Sequence, residues 1–225
     1  MFLFCFCFEL RFLFLPLLAP RSMEESLWCS SANNRLDSYL ELLQSHPGLD
    51  VNWKLERAGD DSPLHIASFK GHWKMVLALL RHPDADINPR NKFGETPLLA
   101  CWNGKKGAVK VLLKNARVDS CATDLTGNTP LWWAASNGHV EVIKLMIASG
   151  RELDLDKPGK GEKTALERAV EEGKVEAAEL LRKFQADPEK TRQELKTKLG
   201  LEGRAFLFLF SFVIEHLGRG DPAGV

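Results

Sequence analysis

One short motif is written four times along this chain at nearly constant spacing. It reads Ser62-Pro63-Leu64-His65-Ile66-Ala67, Thr96-Pro97-Leu98-Leu99-Ala100, Thr129-Pro130-Leu131-Trp132-Trp133-Ala134-Ala135 and Thr164-Ala165-Leu166-Glu167-Arg168-Ala169. Pro63 to Pro97 spans 34 residues, Pro97 to Pro130 spans 33, and Pro130 to Ala165 spans 35. Self-similarity at such a period marks a stacked architecture, in which each unit buries its apolar face only against its neighbours.

The residues inside one period say what that unit is. Ser62, Thr96, Thr129 and Thr164 carry hydroxyls suited to capping a helix. Pro63, Pro97 and Pro130 suit the first helical position, where the missing N–H costs nothing. A short first helix then stops at Gly71, Gly104, Gly138 and Gly173, where a left-handed cap favours glycine. A second helix carries apolar residues at helical spacing, such as Val76, Leu79 and Leu80, or Val142, Ile143, Met146 and Ile147. Turn chemistry returns in Asn91-Lys92-Phe93-Gly94 and Asp124-Leu125-Thr126-Gly127.

These motifs resemble the ankyrin-repeat family, whose T-P-L-H-x-A signature recurs at this period. The implied fold is mainly α, an ankyrin-repeat solenoid of about five helix-turn-helix units with short β-hairpin loops. A degenerate first unit is readable over Leu27 to Leu43, and Asp187-Pro188 opens a closing helix to about Leu199. The chain divides into an extension over 1–22, an array over 23–200 and an apolar tail over 201–225. Three departures stand out. The interval Thr96 to Gly104 is one residue shorter than its counterparts, which shortens that first helix. Trp132 stands where the family has His, which implies loss of the polar link that His supplies. The stretch Asp154 to Glu162 lengthens the third hairpin and is expected to be mobile.

The resemblance implies a protein-protein interaction module with no enzymatic activity, binding a partner protein through the concave face. Matched residue by residue, Phe69, Lys70, Trp102, Asn103, Ser136, Asn137, Glu171 and Glu172 fall on the inner helices. Arg90, Lys92, Phe93, Glu95, Leu125, Thr126 and Asn128 fall on the hairpins. The partner-binding set is Phe69, Lys70, Lys92, Phe93, Trp102, Asn103, Leu125, Ser136 and Asn137. Exposed aromatics concentrate interface energy, so Phe69 and Trp102 lead it. The competing reading packs Phe69 on its neighbouring repeat or folds Trp102 over the shortened helix. Trp132 and Trp133 read as inter-repeat packing, and His65 as a structural hydrogen-bonding residue.

Composition narrows the remaining classes. Thirty basic and thirty acidic residues cancel, so no global field steers the chain toward nucleic acid. Neither a phosphate-binding loop nor a nucleophile elbow occurs, and the histidines lack ligand spacing. The expected catalytic set is therefore none, with no cofactor, no metal and no small-molecule substrate, and the expected state is a monomer. Cysteines 5, 7, 29, 101 and 121 form no disulfide framework, and the central ones read as small buried residues of a reduced protein.

The two ends differ in composition from the middle: ten of the thirteen phenylalanines lie in residues 1–20 and 205–214. Three readings of the N-terminal run remain, ranked as a spurious extension ahead of Met23, a signal peptide and a membrane anchor. Charges at Glu9 and Arg11 interrupt the apolar stretch, against the second and third readings. The expected location is cytoplasmic or nuclear. The alternative is a membrane-attached or secreted protein addressed by that run.

Overall fold

The structure is a computed structural model, and it describes residues 20–201. Both Phe-rich runs, and with them the three readings of the N-terminus, lie outside the described residues. Among the described residues eleven α-helices follow in order: α1 Met23–Ala32, α2 Leu36–Ser45, α3 Pro63–Lys70, α4 Trp73–Arg81, α5 Pro97–Ala100, α6 Lys106–Lys114, α7 Pro130–Asn137, α8 Val140–Ala148, α9 Ala165–Glu171, α10 Val175–Ala186 and α11 Pro188–Lys198. Short 3-10 turns occupy Glu56–Ala58 and Cys101–Asn103. No helix among the described residues is long and apolar enough to cross a membrane.

The helices form two layers. In the inner layer α1 packs on α3, α3 on α5, and α7 on α9; in the outer layer α4 packs on α6, α6 on α8, and α8 on α10. The closing helix α11 lies against α8 and α10. One apolar core runs from Leu27 through Val76, Leu112, Ile143 and Leu181 to Leu195. Each repeat contributes a few residues to it, and the contribution is complete only beside a neighbour.

The caps form as the motif dictates. The hydroxyls of Ser62, Thr129 and Thr164 accept from the backbone N–H three residues on, in His65, Trp132 and Glu167. Gly138 ends α7 at φ 72°, with its N–H bonded back to Ala134 and Ala135. A β-carbon there would meet only the flexible Lys174 side chain, at 3.0 Å, so the left-handed conformation is what selects glycine. The shortened third unit appears as predicted: α5 has four residues and continues as a 3-10 turn. The first unit forms too, with Asp187 capping α11 at the other end.

The hairpins are closed turns: among the described residues no strand forms, only an isolated bridge between Leu55 and Asp61. The Asn91 N–H donates to the Glu95 carbonyl at 3.1 Å, and Asp124 N–H to the Asn128 carbonyl at 3.1 Å. Neighbouring turns are clamped by asparagines. Asn52 accepts from the Asp86 N–H at 2.8 Å and donates to the Asp84 carbonyl at 2.8 Å. Asn88 repeats this one unit later, with Asp119 at 2.9 Å and Arg117 at 2.8 Å. Each clamp satisfies two backbone groups across a repeat boundary.

Three expectations need correction here. Trp132 keeps the polar link: its indole N–H donates to the Lys163 carbonyl at 2.9 Å. The long third hairpin is tied down at its C-terminal half, where Lys160 N–H donates to Asn128 Oδ1 at 2.7 Å and Gly159 N–H to the Lys163 carbonyl at 2.9 Å. Finally, Cys29 and Cys121 are half-buried free thiols, not fully buried ones.

Candidate functional site

The inner helices and turn tips on which binding was expected divide into buried and presented residues. Phe69, expected to lead the binding set, is a packing residue instead. It is only 8% exposed and packs in a cluster with Trp28, Ala32, Leu55, Ala58 and Ile66. Trp28 and Ala32 in that cluster belong to the first repeat, so the Phe69 ring is used in packing between repeats. Ser136 is also buried, and its hydroxyl accepts from the Arg168 guanidinium at 3.4 Å. Neither presents surface to a partner.

Trp102 is half-buried, against the Phe69 cluster on one side and Trp133 on the other. The Trp102 and Trp133 ring centroids lie 5.6 Å apart at 38°. Trp133 meets Trp132 edge-on at 5.1 Å, and its N–H donates to Asp124 Oδ2 at 2.9 Å. The shortened α5 explains this geometry. Its tight 3-10 turn carries Trp102 within reach of the next inner helix, where a tilted aromatic pair is favoured. The Trp102–Trp133 pair is packing between neighbouring repeats, as expected of Trp133, and it places the half-buried Trp133 beside Trp102.

Around that pair the other predicted residues take distinct places. Lys70 is half-buried at the end of α3, and burial pushes its ammonium below the usual lysine range. Asn103 donates to the Phe69 carbonyl at the end of α3, and Asn137 donates back to the Trp133 carbonyl of its own helix at 2.9 Å, so both amides are engaged within the scaffold. At the turn tips Lys92 is exposed, with its ammonium 5.3 Å from the half-buried Phe93 ring. Leu125 is 78% exposed, and its N–H bonds to the Phe93 carbonyl at 3.0 Å, joining the two tips. An apolar side chain so open to water gains most by burial against another molecule.

Toward the C-terminal end the inner face becomes ionic. The Arg168 guanidinium sits 5.4 Å above the Trp132 ring and pairs with Glu171 and Glu172 at 2.6 Å. Hydrogen bonds from Lys163 and then from Arg168 hold the Glu171 carboxyl below the usual range. His65 is a buried connector: the Ser62 N–H donates to its Nδ1 at 3.1 Å, leaving Nε2–H to donate to the Glu95 carbonyl at 2.9 Å. No group of three His, Cys, Asp or Glu suited to a metal occurs among the described residues.

The structure thus joins Lys92, Phe93 and Leu125 at the turn tips, and Trp102 with Trp133, which is tied to the second turn through Asp124. Sequence reasoning missed the Asn52 and Asn88 clamps, whose signal was their identical place before each turn.

Known proteins agree with this architecture. The model of the ankyrin repeats family (three copies) matches residues 26–124 and 98–192. The chain is 37% identical over 134 residues to an Arabidopsis thaliana protein named E3 ubiquitin-protein ligase XBAT33, covering 56% of this chain and 26% of that protein. It is 39% identical over 100 residues to mouse ankyrin repeat domain-containing protein 63, covering 43% of this chain and 25% of that protein. Human SMC5-SMC6 complex localization factor protein 1 is 36% identical over 101 residues, 44% of this chain and 10% of that protein. The chain thus spans about a quarter or less of the length of these relatives. Ankyrin repeats are a protein-interaction module, and the matched family model covers most of the present sequence. The chain belongs to the ankyrin-repeat family.

Proposed function

We propose that this chain binds a partner protein through the inner face of repeats two to four, at Lys92, Phe93, Leu125, Trp102 and Trp133. The observation that carries it is Leu125, a large exposed apolar side chain on a turn tip tied to the neighbouring tip at the half-buried Phe93. The mechanism is shape complementarity on a stacked scaffold, with no cofactor. A rigid array presents its contacts without ordering them first, which lowers the entropic cost of association. The named ligase relatives are matched over the repeats, so this reading assigns recognition to the present residues and no chemistry.

The test is affinity capture from cell extract with the full chain and with a Lys92→Ala/Leu125→Asp variant, quantified by mass spectrometry. Partners retained by the first and lost by the second support the inner face. An unchanged set of partners overturns it.

A further inference from the structure

The two central repeats carry a charge pattern that the neutral whole conceals. Residues 62–83 and 96–118 contain no Asp or Glu, yet hold eight Lys and Arg. Five of these, Lys74, Arg81, Lys106, Lys110 and Lys114, lie on α4 and α6 in the outer layer. Lys106, Lys110 and Lys114 recur every four residues and so share one side of α6. On α4 the same column reads Trp73, Leu77 and Arg81. Trp73 is 39% exposed, with the Lys74 ammonium 5.7 Å from its ring. The indole lies beside Gly107 at the start of α6, where a β-carbon would meet it at 3.4 Å, an ordinary contact distance.

We propose that this outer face of repeats two and three is a second binding surface, which takes a short acidic protein segment anchored by Trp73. Charge complementarity selects an anionic ligand, and the indole supplies the apolar contact that fixes it in place. Lys74, Arg81 and Lys106 are in no ion pair among the described residues, so their charges need not be withdrawn from other partners.

The flanks decide between classes of anion. On one side α2 exposes Asp37 and Glu41; on the other α8 exposes Glu141, and α10 exposes Glu176 and Glu179. Adjacent helices lie roughly 10 Å apart and nine residues span about 13 Å, so the basic area is only about two helices wide. A lipid plane or a nucleic-acid duplex laid across it also meets the carboxylates on both sides. A peptide of a few acidic residues fits between them. This surface is separate from the inner face, and either stands without the other.

The test uses the full chain and a fluorescein-labelled peptide of about ten residues, Asp and Glu with one central Leu, followed by anisotropy. Binding that weakens with salt is expected, and Lys74→Glu/Lys106→Glu weakens it at least about tenfold. Trp73→Ala weakens it about threefold or more, whereas Arg182→Glu on α10 and Leu125→Asp leave it unchanged. Circular dichroism confirms that each variant keeps its helices; Lys74→Gln/Lys106→Gln replaces any that does not. Absence of peptide binding, or equal binding by the Lys variants, overturns the proposal. So does equal or tighter binding of duplex DNA or of phosphatidylserine vesicles.

Discussion

The indole N–H of Trp132 donates to the Lys163 carbonyl at 2.9 Å, as His65 Nε2 does to the Glu95 carbonyl at 2.9 Å. Both acceptors immediately precede the capping residue of the next repeat, Thr164 and Thr96. A tryptophan therefore does the work of the family histidine, because each ring places an N–H donor at its far edge. The indole also fills more volume, and Arg168 covers its face. Trp132→Phe should keep a ring in the site but leave the Lys163 carbonyl with the Gly159 N–H alone, at a cost of about 0.5–1.5 kcal/mol for the lost hydrogen bond. Urea unfolding measures this. An unchanged midpoint would show that the bond contributes nothing.

The same carbonyl anchors Gly159, whose place in the long hairpin leaves no room for a side chain. A β-carbon would lie 2.5 Å from Asn128 Oδ1 and 2.7 Å from Trp132 Nε1. Gly159→Ala should lower the melting temperature, with a cost of about 1–3 kcal/mol typical of overpacking. Gly161, with open space around its α-carbon but φ 77°, should respond through conformation alone, by about 1 kcal/mol. If Gly159→Ala melts no lower than wild type, the hairpin is not held against Trp132.

Phe69 and Leu125 separate stability from binding. Phe69→Ala removes a buried ring and should destabilise by about 3–5 kcal/mol. Leu125→Ala should leave stability within about 0.5 kcal/mol, since its side chain stands in water. Thermal unfolding of the two variants side by side checks this. Equal melting points would contradict the burial that distinguishes them.

The two histidines at the helix turns predict a pH dependence. Burial pushes His72 and His139 below the ordinary imidazole value, against the raising effect of hydrogen bonds to the Ala32 and Trp102 carbonyls. Lys70 and Lys105 near His72, and Lys174 near His139, lower them further. Between the folded and unfolded values the unfolded chain binds more protons, so stability is full above about pH 6.5 and declines as pH falls through the folded values. The melting temperature should drop between about pH 7.5 and pH 5.5, and drop less in His72→Gln/His139→Gln. An identical drop in that variant would move the cause elsewhere.

The sequence by itself determined the repeat and its caps. Hydroxyl, proline and glycine at fixed offsets act through the local backbone, so Ser62, Thr129 and Gly138 could be placed without knowing their neighbours. The closing helix after Asp187 and the shortened unit at Thr96 were legible for the same reason. The tertiary structure decided which way each side chain on that scaffold faces. Phe69 and Trp102 occupy matching places two residues before a glycine, yet one is buried against Trp28 and the other half-open beside Trp133. Their sequence positions are equivalent; the repeats stacked on either side are not. Trp132 kept its link because the Lys163 carbonyl, 31 residues away, comes within reach of a larger ring. Facing and reach depend on contacts between repeats, and no single repeat contains them.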